Sequence, residues 1–119
     1  MKRSLYVSEN LSEEEKTQVM KELKLGYLNL EDELFEQAKL NFDLVLQIDS
    51  SNADAYWGLM LVKFQLRSEE LLFSEAMTYK SAIYLPEYQK AMQYAQKKQK
   101  EIFESNMKRI YQINAGDNY

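Results

Sequence analysis

The chain has 119 residues and a formal net charge of −4, and it contains no cysteine and no histidine. A chain of this length can bury one hydrophobic core without covalent cross-links, so we expect a single domain. The two missing residue types exclude disulfides and thiolate metal sites, and they remove the commonest general base and zinc ligand. We therefore expect a non-enzymatic protein without catalytic residues, cofactor or metal ion.

The composition favours an all-α fold. Good helix formers dominate the sequence, whereas three glycines and one proline leave little material for strands and tight hairpins. No run of about 18 apolar residues is present, so we expect no membrane partner. Two basic residues open the chain, but Ser8, Glu9 and Asn10 interrupt before an apolar stretch of signal-peptide length. A cytoplasmic location is therefore expected.

The charges are unevenly distributed along this acidic chain. Residues 1–50 contain eleven Asp and Glu against six Lys and Arg, while residues 87–119 contain four against six. An acidic first half repels phosphate backbones, so we expect no nucleic-acid partner.

In chain order, residues 1–10 have no helical period and predict a flexible or extended N-terminal arm. One helical domain is expected over residues 11–114, followed by a frayed tail over residues 115–119. The segment beginning Ser12-Glu13-Glu14-Glu15 has the pattern of a capping box, in which the serine hydroxyl and the last glutamate satisfy each other's backbone N–H groups. A first helix should therefore begin there and end near Asp32.

Two further helices follow closely. The second is predicted from about Leu34 to Ile48, and its apolar residues are too many for one narrow stripe, so it should pack on two sides. Asn52 or Ser51 is predicted to cap a third helix from Ala53 to about Leu66.

The last third of the chain is less regular. A fourth helix is predicted to begin near Glu69, with an inner face that includes Leu71, Leu72, Phe73, Ala76 and Met77. Pro86 suits the first position of another helix. The polar run 96–100 predicts either a solvated helical bridge or a short break. A final apolar stripe predicts a C-terminal capping helix and consists of Ile102, Phe103, Met107, Ile110, Tyr111 and Ile113.

Residues 21–64 carry a family resemblance. Leu25-Gly26, Phe35-x-x-Ala38 and the turn from Gln47 to Ala55 resemble the packing positions and the turn of a tetratricopeptide repeat. Leu59 follows Leu25 by 34 residues, which is the period of that repeat. The match is degenerate beyond residue 64.

The resemblance implies a short antiparallel array of helical hairpins, about five or six helices long, in which Gly26 meets Ala38. It also implies a non-enzymatic adaptor that binds a peptide or helix of another protein on a concave face. The first helices of the hairpins supply the expected contact residues, which are Lys24, Tyr27, Leu28, Glu31, Trp57, Met60, Lys63 and Phe64.

Several alternatives stay open at this point. The acidic first half would also suit a small inhibitor that occludes a basic surface of a larger protein. A C-terminal helix that does not fold back would pair with a second copy and form a homodimer. Glu31, Asp32, Glu33 and Glu36 form a carboxylate cluster, but no calcium-type loop surrounds them, so a helix-end role is favoured over a metal site. Additional contact candidates, each equally suited to packing, are Tyr56, Tyr79, Tyr84, Tyr88, Tyr94 and Tyr111.

Overall fold

The computed structural model describes residues 4–72 and 84–105, and all regular structure in these ranges is helical. The helices are α1 (Glu13–Glu31), α2 (Phe35–Ile48), α3 (Ala53–Phe64), a 3₁₀ helix (Glu69–Leu72) and α4 (Pro86–Tyr94). Residues 97–105, here the C-terminal segment, are also helical. The predicted all-α class is confirmed. Within the described ranges, no helix combines the length and apolar character needed to cross a bilayer.

The capping box predicted for α1 is present. The Ser12 side chain accepts a hydrogen bond from the Glu15 backbone N–H at 3.1 Å, and the Glu15 carboxylate accepts from the Ser12 N–H at 2.9 Å. The first turn consists of three glutamates, whose negative charges suit the positive end of the helix dipole. The helix ends at Glu31 with Asp32 as its C-cap, as the sequence predicts.

Helix α2 packs against both α1 and α3, which confirms the predicted two-sided packing. Its fully buried residues are Ala38, Phe42 and Val45. Three leucines, two in α2 and one at its N-cap, behave differently, because their side chains stay in solvent. These are Leu34, Leu40 and Leu44, with exposed fractions of 50%, 58% and 41%. The excess of apolar residues in α2 is therefore partly a surface feature.

The ring of Phe42 lies between two glycines. A Cβ atom added at Gly26 would lie 2.5 Å from Phe42 Cε1, and one added at Gly58 would lie 2.6 Å from Phe42 Cε2. The close approach expected at Gly26 is therefore present, but its nearest neighbour is Phe42 and not Ala38. The correction has a simple reason, because the large ring one turn further along α2 fills the space that the two glycines leave open.

Helix α3 begins as predicted and ends earlier than predicted. Asn52 caps it, and its side-chain oxygen accepts a hydrogen bond from the Ala55 N–H at 2.9 Å. Helical structure stops at Phe64, because Gln65 adopts a left-handed conformation with φ of 55°. The following N–H, that of Leu66, donates to the Leu61 carbonyl at 3.0 Å. This pattern is typical of a Schellman C-cap, and it leaves Leu66 buried but outside the helix.

Helix α4 packs against α3 and begins with Pro86 in its first turn, as predicted. Residues 95–96 are not helical and separate α4 from the C-terminal segment. The start predicted near Glu69 is present as a 3₁₀ helix. The inner-face residues predicted after it, which are Phe73, Ala76 and Met77, lie outside the described residues. The same applies to Met107, Ile110, Tyr111, Ile113 and the tail 115–119.

Candidate functional site: the groove between α1 and α3

Residues 4–8 of the N-terminal arm, here called the seated arm, have no helical structure and lie between α1 and the start of α3, a space here called the groove. Their hydrogen bonds reach the end of α2 and the start of α3. On the opposite side they line surface depressions together with residues of α1. The sequence predicts a flexible or extended arm, and residues 4–8 of that arm are held by hydrogen bonds to Asp49, Asn52 and Asp54. The groove therefore already holds a segment of polypeptide.

Three side chains between α2 and α3 form a polar edge that binds the seated arm; they are Asp49, Asn52 and Asp54. The Tyr6 N–H donates to the Asp54 carboxylate at 2.9 Å, and the Tyr6 carbonyl accepts from the Asn52 side chain at 2.9 Å. Two residues further on, the Ser8 N–H donates to the Asp49 carboxylate at 3.1 Å. The Ser8 hydroxyl donates to the other oxygen of Asp49. Alternate residues of the arm are thus held through their backbones.

The polar edge follows from the short turn between α2 and α3. Asp49 is the C-cap of α2, Asn52 is the N-cap of α3, and Asp54 lies in the first turn of α3. All three are buried, with exposed fractions of 3%, 3% and 0%. Buried carboxylates are costly unless hydrogen-bond donors surround them. The backbone N–H groups of the seated arm supply part of that requirement.

The opposite wall of the groove comes from α1. Leu5 and Val7 are partly buried and pack against the hydrophobic core. Beside Leu5 is an open depression of about 490 Å³, lined by Ser4, Leu5, Met20, Lys24, Tyr27, Leu28 and Glu31. Beside Val7 is a second, of about 620 Å³, lined by Val7, Lys16, Thr17, Met20, Lys21, Lys24 and Leu25. The seated arm therefore leaves room next to both of its apolar side chains.

Tyr27 forms the floor of the groove. It is 5% exposed, and its hydroxyl donates to the backbone carbonyl of Asp54 at 2.6 Å. Its ring meets the ring of Phe42 edge-on, with centroids 5.0 Å apart. One side chain of α1 thus contacts both α2 and α3. The Tyr27 hydroxyl thus ties α1 to Asp54, the residue whose carboxylate accepts from Tyr6 of the seated arm.

The groove brings together part of the predicted contact set. Lys24, Leu28 and Glu31 are exposed and line the depression beside Leu5, above the buried Tyr27. Leu28 is the most exposed of the apolar residues there, at 54%. The α1 half of the prediction therefore describes one continuous surface.

The α3 half of the predicted set does not belong to this surface. Trp57 and Met60 have exposed fractions of 0%, so neither is available to a partner in this structure. The reason for Trp57 is the ring of Phe103, which stacks on it at 4.2 Å with an angle of 14° between the planes. Lys63 is exposed but forms an ion pair with Glu87 of α4 at 3.3 Å. Phe64, which is half-buried, ends α3.

The C-terminal segment reaches the same polar edge from the other side. The Gln99 side-chain amide donates to Asp54 at 2.8 Å, and it uses the same oxygen that accepts from Tyr6. Gln99 is 2% exposed. The polar run 96–100 predicts a solvated helical bridge or a short break, and neither form includes a buried side chain such as Gln99. Asp54 therefore connects the two ends of the described chain.

The residues of the polar edge and of the seated arm were not among the sequence candidates. The sequence predicts a turn and the start of α3 over Asp49 to Asp54, with Asn52 or Ser51 as the cap, and it places Leu5 and Val7 only in an arm. Two signals were available: the alternation of Leu5 and Val7, which is typical of a half-buried extended segment, and the cluster of oxygen-bearing side chains in the turn. Neither signal alone connects positions more than 40 residues apart.

Most of the candidate tyrosines that the structure describes contribute to packing. Tyr56 stacks on Tyr94 with centroids 6.0 Å apart, and the Lys90 ammonium lies 5.5 Å from the Tyr56 centroid. Tyr88 is partly buried against the core, while Tyr84 is 77% exposed. Tyr79 and Tyr111 lie outside the described residues. In the part of the chain that is described, no group of three or more carboxylates is placed to hold a metal ion.

Comparisons with protein-family models, with curated proteins and with solved structures return no match for this chain. The resemblance to a tetratricopeptide repeat therefore rests on the residues of the chain itself.

Proposed function

We propose that this protein is a tetratricopeptide-repeat-like interaction domain whose groove between α1 and α3 binds a segment of a partner protein. The observation that carries the proposal is the seated arm, because it is a stretch of polypeptide already bound there through Asp49, Asn52 and Asp54. A groove that accommodates one extended segment has the width and the hydrogen-bonding groups to accommodate another. The function is binding and involves no catalysis.

Two features of the fold support the family part of this proposal. The antiparallel order of α1, α2 and α3 is the order of one and a half helical hairpins. Gly26, at a family packing position, lies against the Phe42 ring with no space for a side chain. A cytoplasmic adaptor of this class would act by presenting or sequestering its partner.

A matched pair of leucine variants tests the proposal. Leu28 in the last turn of α1, on the groove, and Leu40 in the middle of α2 have similar exposed fractions, 54% and 58%. We expect Leu28→Arg in the full chain to weaken binding of a partner captured from the source cell by roughly tenfold or more, since one buried apolar contact is lost and a charge is introduced. Leu40→Arg should leave the dissociation constant unchanged. Equal effects of the two substitutions on the dissociation constant, or no effect of either, would contradict partner binding at the groove.

The acidic-inhibitor alternative also has an observation in its favour. Exposed carboxylates occur at both ends of α1, namely Glu13, Glu14, Glu15, Glu31, Asp32, Glu33 and Glu36. Such a surface would bind a basic patch through long-range attraction, which salt screens over about 10 Å at 0.1 M. A partner lost between about 50 and 500 mM salt would favour charge occlusion. A partner retained in that range would favour the groove.

Homodimerisation through the C-terminal helix has less support. In the described part of that helix, Phe103 is buried against Trp57 of the same chain. The Phe103 side chain is therefore used within one molecule and is not available to a second copy. Sedimentation velocity over a range of concentrations measures this directly.

A further inference from the structure

We infer that the groove recognises an extended partner segment with apolar side chains two residues apart followed by a serine or threonine, and that residues 4–8 compete with the partner for this site. The inference rests on the proposed function and specifies the chemistry of the partner. It follows from how the seated arm is held on each of its two sides.

The polar edge recognises extended backbone. In an extended chain the N–H groups of residues i and i+2 point to the same side and lie roughly 6.5 Å apart. Tyr6 and Ser8 are such a pair. The Tyr6 N–H donates to the Asp54 carboxylate, and the Ser8 N–H donates to the Asp49 carboxylate. The interior of a helix cannot satisfy this edge, because its N–H groups already bond to its own carbonyls, whereas alternate N–H groups of an extended segment are free. The bound segment is therefore a strand-like peptide.

The side facing α1 provides the selectivity for apolar residues. Leu5 and Val7 both face this wall and are partly buried, and each borders an open depression. Exposed apolar surface from Leu25 and Leu28 borders these depressions too. Larger apolar side chains, such as methionine or phenylalanine, would bury more of this surface than Leu5 and Val7 do. A partner can thus bind more tightly than the arm at these two positions.

The position after the second apolar residue requires a hydrogen-bond donor. The Ser8 hydroxyl donates to Asp49, whose other oxygen already accepts from the Ser8 N–H and from Asn52. A carboxylate or phosphate at this position would meet the buried Asp49 carboxylate and be repelled. We expect serine or threonine to be selected there and acidic residues to be rejected.

Competition follows from the covalent link between the arm and the groove. Only residues 9–12 separate the seated arm from α1, so the arm stays close to its site even when it is released. Short connections of this kind give effective concentrations of the order of millimolar. A partner must therefore displace the arm, and any change that weakens the arm raises the apparent affinity for the partner.

The test compares two full-length variants. Tyr6→Pro removes the N–H that Asp54 accepts, whereas Tyr6→Ala also removes the ring but keeps that N–H. The probe is a fluorescent peptide of residues 2–10, whose binding is followed by anisotropy. We expect Tyr6→Pro to bind the peptide roughly tenfold or more tightly than Tyr6→Ala and the unchanged chain, because one charge-assisted hydrogen bond of the competitor is lost. The same peptide with proline at its Tyr6 position should bind to none of the chains.

Hydrogen exchange shows whether each substitution releases the seated arm while the helices stay folded. The Ser8 amide should be protected in the unchanged chain and in Tyr6→Ala, and should exchange rapidly in Tyr6→Pro while α1 to α3 stay protected. If Tyr6→Pro does not fold, Ser8→Pro against Ser8→Ala supplies the same comparison at the Asp49 end. If exchange shows that the arm is released but the peptide binds no more tightly, the inference is overturned.

Other outcomes separate this inference from the proposed function. In one outcome, partner binding depends on Leu28 but is neither strengthened by Tyr6→Pro nor inhibited by the peptide. That outcome overturns the inference and leaves the proposed function of the groove intact. Peptide binding with a partner insensitive to Leu28→Arg contradicts the proposed function. A dimer of the unchanged chain that disappears in Tyr6→Pro assigns the groove to the arm of a second copy, which also overturns the inference.

Discussion

The ring of Phe42, held between Gly26 and Gly58, gives the sharpest test of the packing. Alanine in place of glycine inside a helix ordinarily stabilises a protein by about 0.5–1 kcal/mol. Here each added methyl would lie within 2.6 Å of the Phe42 ring, which is too close for any carbon–carbon contact. Inserting a methyl into a filled core costs about 1–3 kcal/mol, so Gly26→Ala should lower the free energy of unfolding by about 1–2 kcal/mol.

The sign of the effect should reverse when the ring is removed. In a Phe42→Leu background the space beside both glycines opens, so Gly26→Ala and Gly58→Ala should each become stabilising by up to about 1 kcal/mol. Urea unfolding followed by circular dichroism measures all the variants, with Gln18→Ala as an exposed helical control within about 0.5 kcal/mol of the parent. If Gly26→Ala stabilises the unchanged chain, the Phe42 ring does not fill the space beside Gly26.

Three further predictions concern single side chains. Asn52→Ala should lower the free energy of unfolding by about 2–3 kcal/mol, because Asn52 is a helix cap and also donates to buried partners. The simpler cap substitution Ser12→Ala should lower it by about 1 kcal/mol, and chemical denaturation measures both. Gln65→Gly should raise the midpoint of thermal unfolding and stabilise by about 0.5–1 kcal/mol, since glycine adopts the left-handed conformation without strain. Phe103→Ala should cost about 3–5 kcal/mol and shift the emission of the single tryptophan, Trp57, to longer wavelength; an unchanged spectrum would mean that the two rings do not stack.

Helix boundaries set by local chemistry could be predicted from the sequence. Ser12, Asn52 and Pro86 each act within three or four residues of their own position, so the signal and its effect are both local. The end of α3 was predicted two residues too late. Gln65 has no local feature that favours a left-handed conformation, which glycine or asparagine would have provided. The early stop depends on burial of Leu66, and that is a tertiary effect.

The candidate site was only half predictable for the same reason. The family resemblance placed Lys24, Leu28 and Glu31 on the contact face of α1, and all three line the depression beside Leu5. It could not exclude Trp57 from the groove, because the residue that covers it, Phe103, is 46 positions away in the sequence. Periodicity identifies the side of a helix that is apolar, and it does not identify the element that packs there.

The bond between Tyr6 and Asp54 has a consequence for synthesis on the ribosome. The two residues are 48 positions apart, so the segment around Tyr6 is made before its binding site exists. At about 5–20 residues per second, that delay is roughly 2–10 s. During the delay the Tyr6 N–H has no Asp54 carboxylate to bond to, so the seated arm can be held in its groove only after the start of α3 has been made.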